Sequence, residues 1–463
     1  MPADRRARLI PTVVAASLGF VLVQLDVSIV NVALARIGSD LGIGVAGLEW
    51  VVDAYTLAFA SLMLSAGALG DRIGARRAFV IGFGLFVAAS AACGAAPSLP
   101  ALIAARAVQG AGAAGLVPSS LALLNHACRD DGAARARAVG LWTAAGSVAL
   151  AAGPVLGGLL VDSFGWRSIF LVNLPLGLAG IWLTLRRVEE TPRGEGGLDP
   201  LGQILGVVAL CAAAGAVIEG GVQGGMTPVV ALIAGTAVVA GAAFPLVEAR
   251  GSRPMLPLGF FRLPGFSAAT AVGFLVNFTL YGAIFVFNLF LQRSAGYSPA
   301  RSGIAFLPFP AVLFAANLLA GPLVARFGPR RPMAAGLALA AVGFGLLSTV
   351  TAGTPWLAML PGLVVTPAGI GTAVPAMTTA LLGAVPRSRA GIASGVLNTV
   401  RQAGGAMGVA LFGSLLAGGG LSGMAWALLL AAGLDGLAAL IAAVGVPAPR
   451  TGSPAADSPV RPS

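Results

Sequence analysis

Apolar stretches of about twenty residues recur almost end to end along the 463-residue chain, broken by short basic or Gly/Pro-rich turns. That length lets a helix cross a hydrocarbon core of about 30 Å. Lengths and breakers together predict fourteen spanning helices, at about 9–35, 48–70, 77–96, 99–124, 137–161, 167–185, 199–220, 228–248, 264–291, 301–324, 331–351, 354–382, 391–417 and 422–446. The connections are short, so neighbouring helices form antiparallel hairpins. The pattern predicts an all-α polytopic membrane protein. The tail "PAPRTGSPAADSPVRPS" is rich in Pro and Ser and reads as disordered.

Composition agrees with the pattern. Hydrophobic residues make up 57% of the chain and charged residues 10%, against about a quarter charged in a soluble globule. Such a chain could not cover its own surface in water. The basic start "MPADRRARLIPTVV" leads into an apolar stretch of full spanning length with no small-residue cleavage site, unlike a cleavable signal. All 28 basic residues are arginine. With abundant Ala, Gly and Pro, this suggests a GC-rich bacterial genome. Without lysine there is no Walker A loop and no Schiff-base amine, so neither ATP hydrolysis nor a light-driven pump is expected. Cys93, Cys128 and Cys211 are far apart and have neither metal-site nor disulfide spacing. No enzyme, cofactor, metal or nucleic-acid chemistry is expected.

Arginine also sets the orientation. With the N-terminus inside, the segments on that side hold 22 arginines and the outer loops four, while Arg106 and Arg401 fall within helices. This is a strong positive-inside asymmetry and places both termini in the cytoplasm of a bacterial cell.

The chain repeats itself. "GALGDRIGARRA" after helix 2 is echoed by "GPLVARFGPRRP" after helix 10, with Ala325 in place of Asp71. Setting helices 7 and 8 aside makes helix 10 the second helix of a second half. The expected organisation is a six-helix half (1–185), an inserted hairpin (199–248), a second six-helix half (264–446) and a cytoplasmic tail (447–463). Duplicated bundles of this kind mark secondary transporters, whose substrate site lies between the halves.

Six motifs in order carry a resemblance: "LDVSIVNVALARIG" in helix 1, "GALGDRIGARR" in loop 2–3, "LIAARAVQGAGAA" in helix 4, "GSVALAAGPVLGGLL" in helix 5, "GWRSIFLVNLPLG" at helix 6 and "SGVLNTVRQAGGAMG" in helix 13. The chain resembles the major facilitator superfamily across all fourteen helices, and within it the fourteen-helix drug:proton antiporter branch. Its texture is similar to actinomycete antibiotic-resistance exporters of the methylenomycin type. Ala35 departs from the pattern, where a proline is usual. In loop 2–3 orientation accounts for the arginines, above all Arg76 and Arg77, while the resemblance places Arg72 and Arg76 in a conformational latch with Gly67, Asp71 and Gly74. The resemblance implies a further role for Asp71. It would bond arginine and a helix N-terminus of the opposite half, as a latch closed when the cavity faces outward, with Gly67 and Gly74 allowing close approach.

Asp26 and Arg106 sit about nine and seven residues from the outer ends of helices 1 and 4, at similar depth. An intramembrane charge costs at least about 2.5–3.5 kcal/mol. The pair could be a neutral lock between helices. It could instead be a proton carrier, whose neutral form is favoured by burial and whose charged form is favoured by Arg106; the resemblance favours the carrier. Asp53, Glu219 and Asp435 are further candidates. Asp53 is read as solvated by an outer vestibule and Trp50 as part of an aromatic belt. His126 reads as an interfacial, solvated side chain. In helix 5, Gly153, Pro154, Gly157 and Gly158 form a small-residue face suited to close helix contact and to sealing a carrier against proton leak. Asn31, Tyr55, Gln109, Asn398 and Arg401 are expected among the polar groups of a mostly apolar cavity.

These readings converge on a secondary active exporter that trades protons for an amphiphilic drug or antibiotic by alternating access, working as a monomer in the cytoplasmic membrane. A proton-coupled exporter of an endogenous metabolite is the alternative on the same fold. A non-transporting receptor would need neither the embedded pair nor the repeat. Reporter fusions test the topology: a fusion after residue 225 should report the periplasmic side and one at the C-terminus the cytoplasmic side. A cytoplasmic signal at residue 225 would remove the inserted hairpin.

Overall fold

The computed structural model describes residues 3–128, 132–193, 199–251, 258–386 and 390–447. Apart from Pro447, the tail read as disordered lies outside them. Helices α1 (Ala3–Leu41), α2 (Val45–Ile73), α3 (Ala75–Ala95), α4 (Leu99–Ala127) and α5 (Gly132–Phe164) come first. Next are α6 (Ser168–Arg187), α7 (Pro200–Gln223), α8 (Pro228–Arg250), α9 (Pro264–Ser294) and α10 (Pro299–Phe327). The chain continues through α11 (Arg330–Ser348), α12 (Trp356–Gly383) and a continuous run from Ala390 to Gly445. Among the described residues, thirteen helices are long and apolar enough to cross a membrane. The last has 56 residues, about 84 Å at 1.5 Å per residue and far more than one bilayer needs. It breaks at Gly420 (φ 54, ψ −125), within the run Gly418–Gly419–Gly420. The result is two spans, α13 (390–419) and α14 (421–445), which makes fourteen candidate spans among the described residues.

Local chemistry explains many of the boundaries. Proline occupies the first turn of α4, α7, α8, α9 and α10, where its missing N–H costs nothing. The Asp199 carboxylate accepts from Gly202 N at 2.9 Å to cap α7, and Ser298 Oγ accepts from Arg301 N at 3.2 Å to cap α10. Gly224, left-handed at φ 71, stops α7 and opens the turn into α8.

The helices pack as two groups of six, α1–α6 and α9–α14, with the α7–α8 pair touching both through α2 and α13. Lipid tails supply no hydrophobic force between helices, so association depends on close backbone contact at small residues. In the first group α3 crosses α4 glycine on glycine: a Cβ on Gly112 would lie 2.7 Å from Phe86 N, and one on Gly82 would lie 3.0 Å from Leu116 N. In the second group α11 crosses α12 the same way, where a Cβ on Gly336 would lie 2.6 Å from Gly369 O.

Gly112→Ala should therefore destabilise the detergent-purified protein by ~1–3 kcal/mol through overpacking. Gly84→Ala, whose Cβ would meet open space, should leave the thermal midpoint unchanged or raise it. Equal midpoints for the two variants would contradict the close crossing.

Candidate coupling site and cavity

Asp26 on α1 and Arg106 on α4 meet at 2.5 Å between Oδ2 and Nη1. Neither is more than 1% exposed. Three more polar side chains complete a closed network. Gln109, one turn along α4, accepts from Arg106 Nη1 at 2.7 Å and donates to Asp26 Oδ1 at 2.8 Å and Ser90 Oγ at 2.9 Å. Asn173 on α6 donates to Asp26 Oδ1 at 3.3 Å and Ser90 Oγ at 3.4 Å. Arg106 Nε donates to the Val51 carbonyl of α2 at 3.0 Å. Five helices thus meet on one ion pair. A buried ion pair persists only when its remaining donors and acceptors are satisfied, and here both carboxylate oxygens are.

Arg106 also faces outward from the network. Its guanidinium lies 4.3 Å from the centre of the Tyr55 ring, a cation–π contact. Both residues line a cavity between the groups, of about 370 Å³ of atom-free space, part of it open. Asn31, Thr56, Tyr281 and Gly405 also line it. Asn31 donates to Val27 O at 2.8 Å. The Tyr55 hydroxyl has no hydrogen-bond partner. Val27, Val30, Val52 and Val409 supply apolar wall, so the cavity combines apolar surface with polar groups from both groups of helices.

Other expected residues fall elsewhere. Gln109 belongs to the buried network and does not line this cavity; its spacing of three from Arg106 turns it back onto the ion pair. Arg401 donates through Nε to Asn277 at 3.2 Å. Asn398 is partly buried and does not line the cavity. Glu219 accepts from Gln223 of its own helix. Asp435, without a partner in the sequence reading, accepts from Thr279 of α9 at 2.9 Å. Asp53 is fully buried, which corrects its placement in a solvated vestibule. Trp50 packs against Gly215 of α7, so the hairpin covers a side chain read as part of a lipid-facing belt.

The far side, away from both chain ends, is closed. Gln292 Nε2 donates to Val32 O at 2.9 Å, and Ala300 N donates to Asp162 at 3.1 Å, each bond joining the two groups. The small face of α5 does this in two directions. Cβ atoms on Gly153 and Gly157 would collide with Ser28 and Ile29 of α1, and one on Gly158 would lie 2.6 Å from Ala300 Cα. Gly303 of α10 in turn seats on the Pro154 carbonyl.

Loop 2–3 is differently placed. Asp71 and Arg72 are exposed, with no partner among the described residues. The N-terminus of α3 is held within its own group: Arg76 N donates to Glu190 at 2.9 Å and Ala75 N to Thr191 Oγ1 at 2.7 Å. Arg76 also donates to the Leu185 carbonyl at 2.7 Å. Gly74 takes φ 99 with the Glu190 carboxylate over it, and Gly67 lies beside Pro118 of α4. These glycines serve contacts within one group, and the latch expected of Asp71 is not engaged in this conformation.

A family model described as Major Facilitator Superfamily matches residues 16–409 and 270–461. The chain belongs to the major facilitator superfamily. Among superfamily relatives, it is 41% identical to the methylenomycin A resistance protein of Streptomyces coelicolor, over 87% of this chain and 85% of that one. It is also 41% identical to the multidrug resistance protein Stp of Mycobacterium tuberculosis, over 88% and 75%. The methylenomycin A resistance protein of Bacillus subtilis is 38% identical, over 93% of each. Among solved structures, a bacterial homologue of the human lysosomal transporter Spinster, in an inward-facing and unoccupied conformation, superposes with a TM-score of 0.67 at 18% identity. That match covers 96% of this chain and 98% of the other. A POT family transporter in complex with 5-aminolevulinic acid gives 0.71 at 14%, over 94% and 95%. Both share the superfamily fold.

Sequence reading missed Ser90, Asn173, Glu49 and Tyr281. Ser90 and Asn173 had a signal, as isolated polar residues in apolar spans beside the embedded pair. Gln109→Leu keeps the side-chain bulk but removes the bonds that Gln109 itself makes to Asp26, Arg106 and Ser90. It should lower stability by ~1–3 kcal/mol per group left unsatisfied, read by thermal unfolding in detergent. Asn31→Ala, whose amide bonds only its own helix, should cost clearly less.

Proposed function

We propose that this protein is a secondary active exporter of amphiphilic drugs or antibiotics, exchanging each for protons by alternating access. The carrying observation is that Arg106 belongs to two places at once: it holds Asp26 inside a closed network and stacks on Tyr55 in the cavity wall. A ligand that moves Tyr55 or Arg106 changes the ionic environment of Asp26, and a proton on Asp26 releases Arg106 toward the cavity. Such mutual exclusion is a coupling free energy and works in both directions. Relatives named for methylenomycin A resistance and multidrug resistance support this reading.

The moving bodies are the two six-helix halves, 1–185 and 264–446, with 199–248 an inserted hairpin. The arginine asymmetry orients the chain in a bacterial cytoplasmic membrane with both termini inside, and the exporter works as a monomer. The closed far side then faces out, so this conformation is open toward the cytoplasm. Asp71 is free here because its latch belongs to the opposite, outward-facing conformation. Substrate contacts come from Asn31, Tyr55, Thr56 and Tyr281.

A panel of toxic compounds tested on cells with and without the gene identifies the substrate. In vesicles, Asp26→Asn should abolish uphill efflux driven by a pH gradient while downhill exchange of the same compound persists. Uphill efflux by this variant would exclude Asp26 as the carrier. Asp71→Asn should reduce transport strongly with membrane insertion intact and shift cysteine accessibility toward the inward-facing state. Unchanged transport and accessibility would leave Asp71 as a solvated loop residue.

A further inference from the structure

The second half is nearly free of acid: Asp435 is the one carboxylate between residues 264 and 446. Arg401 nevertheless lies deep in that half, about eleven residues, or roughly 16 Å, from the start of α13. Among the described residues its guanidinium makes one hydrogen bond, from Nε to Asn277 Oδ1 of α9 at 3.2 Å. The ion pairs of the described residues, Arg36–Asp40, Arg77–Glu190 and Arg106–Asp26, leave it out. Asp435 does not serve it either, because its carboxylate accepts from Thr279 of α9. Thr279 is two positions from both Asn277 and Tyr281, about 200° around the helix, so α9 stands between Asp435 and Arg401. The two embedded arginines therefore differ: Arg106 has its counter-ion and Arg401 has none.

Arg401 stands at the edge of the cavity. Gly405 and Val409 of α13 line it, and Arg401 continues that row, one turn further from the closed far side. On α9, Asn277 stands in the same relation to the cavity-lining Tyr281. The Tyr281 ring packs on Gly405, where a Cβ would lie 3.0 Å from its Cδ2. Its hydroxyl is within electrostatic reach of the Arg401 guanidinium. A Cβ on Gly273 would lie 3.3 Å from Arg401 Cγ, so the arginine stem rests on bare α9 backbone. With Nε tied to Asn277, the stem and fork are held in place while the two Nη groups bond nothing among the described residues. Across the cavity the first half supplies Val27, Val30 and Val52 as apolar wall, and the Tyr55 ring as an aromatic face.

We propose that Arg401, with Tyr281 and Asn277, forms an anion subsite, and that the substrates are amphiphiles carrying a carboxylate. An unpaired guanidinium within a span is costly, and a bound carboxylate supplies the missing counter-ion. The planar fork offers two parallel N–H donors to the two oxygens of a carboxylate, and the Tyr281 hydroxyl adds a donor beside it. The apolar body of the ligand then lies toward the valines and Tyr55, so one molecule touches both halves. Arg106 is not open to the same task, because Asp26 and Gln109 hold its Nη1 and the Val51 carbonyl holds its Nε. Of the charges at the cavity, Asp26 and Arg106 cancel and Arg401 is left over. That balance opposes a cationic ligand and favours an anionic one. This inference rests on the exporter reading for what passes through the cavity, while the anion site itself belongs to α9 and α13.

The test is calorimetric binding of three probes that share one apolar body: para-butylbenzoate, para-butylbenzamide and para-butylbenzylammonium. The full-length protein is held in phosphatidylcholine nanodiscs without a gradient, and empty nanodiscs correct for partitioning into lipid. The parent should bind the benzoate at least about tenfold more tightly than the benzamide, and the ammonium most weakly. Arg401→Gln keeps hydrogen-bonding groups but removes the charge. It should bring benzoate affinity down to that of the benzamide, with benzamide affinity unchanged within about twofold. Arg401→Lys, the milder change should the glutamine variant fail to fold, should keep part of the preference, since a point charge replaces the fork. A parent that binds the benzamide as tightly as the benzoate would overturn the proposal, as would an Arg401→Gln protein that keeps the parent's preference. Phosphatidylglycerol in the nanodiscs should leave benzoate binding in place; its loss there would assign the site to lipid headgroups and overturn the substrate class. The export panel reads the exporter separately: extrusion of neutral and cationic compounds alone would contradict this site and still support export.

Discussion

The structure depends on the cost of charge in hydrocarbon and on how that cost is met at Asp26 and Arg106. Neither could stay charged in the membrane alone. Together they need Gln109, Asn173 and the Val51 carbonyl to satisfy their remaining hydrogen-bonding groups, and Ser90 accepts from both amides. Those partners come from α2, α3, α4 and α6, so one network fixes the register of four helices around α1.

The same constraint separates two kinds of buried acid. Asp26 has a cation and two amides; Glu49 and Asp53 have no partners and face a glycine on the opposite half. Asp435 is intermediate, with one oxygen bonded to Thr279 and the other unpaired. Acids with partners inside one half hold that half together. The glycine faces of α5 and α13 belong to this logic: by removing side chains they let the halves meet backbone to backbone and exclude the water that would otherwise solvate a charge.

The fold was legible because spanning length and breakers are chemical necessities in a bilayer, and because "GALGDRIGARRA" is echoed by "GPLVARFGPRRP" in the second half. Even the break between α13 and α14 was marked, by the Gly-rich run that ends at Gly420. Asp26 and Arg106 were legible through their depth in two different helices. The Gln109 contact was not, because a polar residue one turn from Arg106 can point into a cavity or back onto the pair, and only packing decides. Asp53 and Trp50 were misplaced because the reading assigned them to an open vestibule and to lipid. The hairpin and α13 cover that face through long-range contacts that no local pattern encodes. Glu49 was overlooked, one residue past the predicted start of helix 2 at 48. The helix begins three positions before that start, at Val45, and packs Glu49 against Gly413 of α13.

In the proposed exporter one carboxylate, Asp26, exchanges a proton against occupancy of the cavity. Proton release on ligand binding, in weakly buffered detergent solution and with a compound that the export panel identifies as substrate, reads this exchange. The parent protein should release protons as the cavity fills, and Asp26→Asn should bind the same compound while releasing fewer, by about one per molecule bound. Equal release from parent and variant would contradict the account.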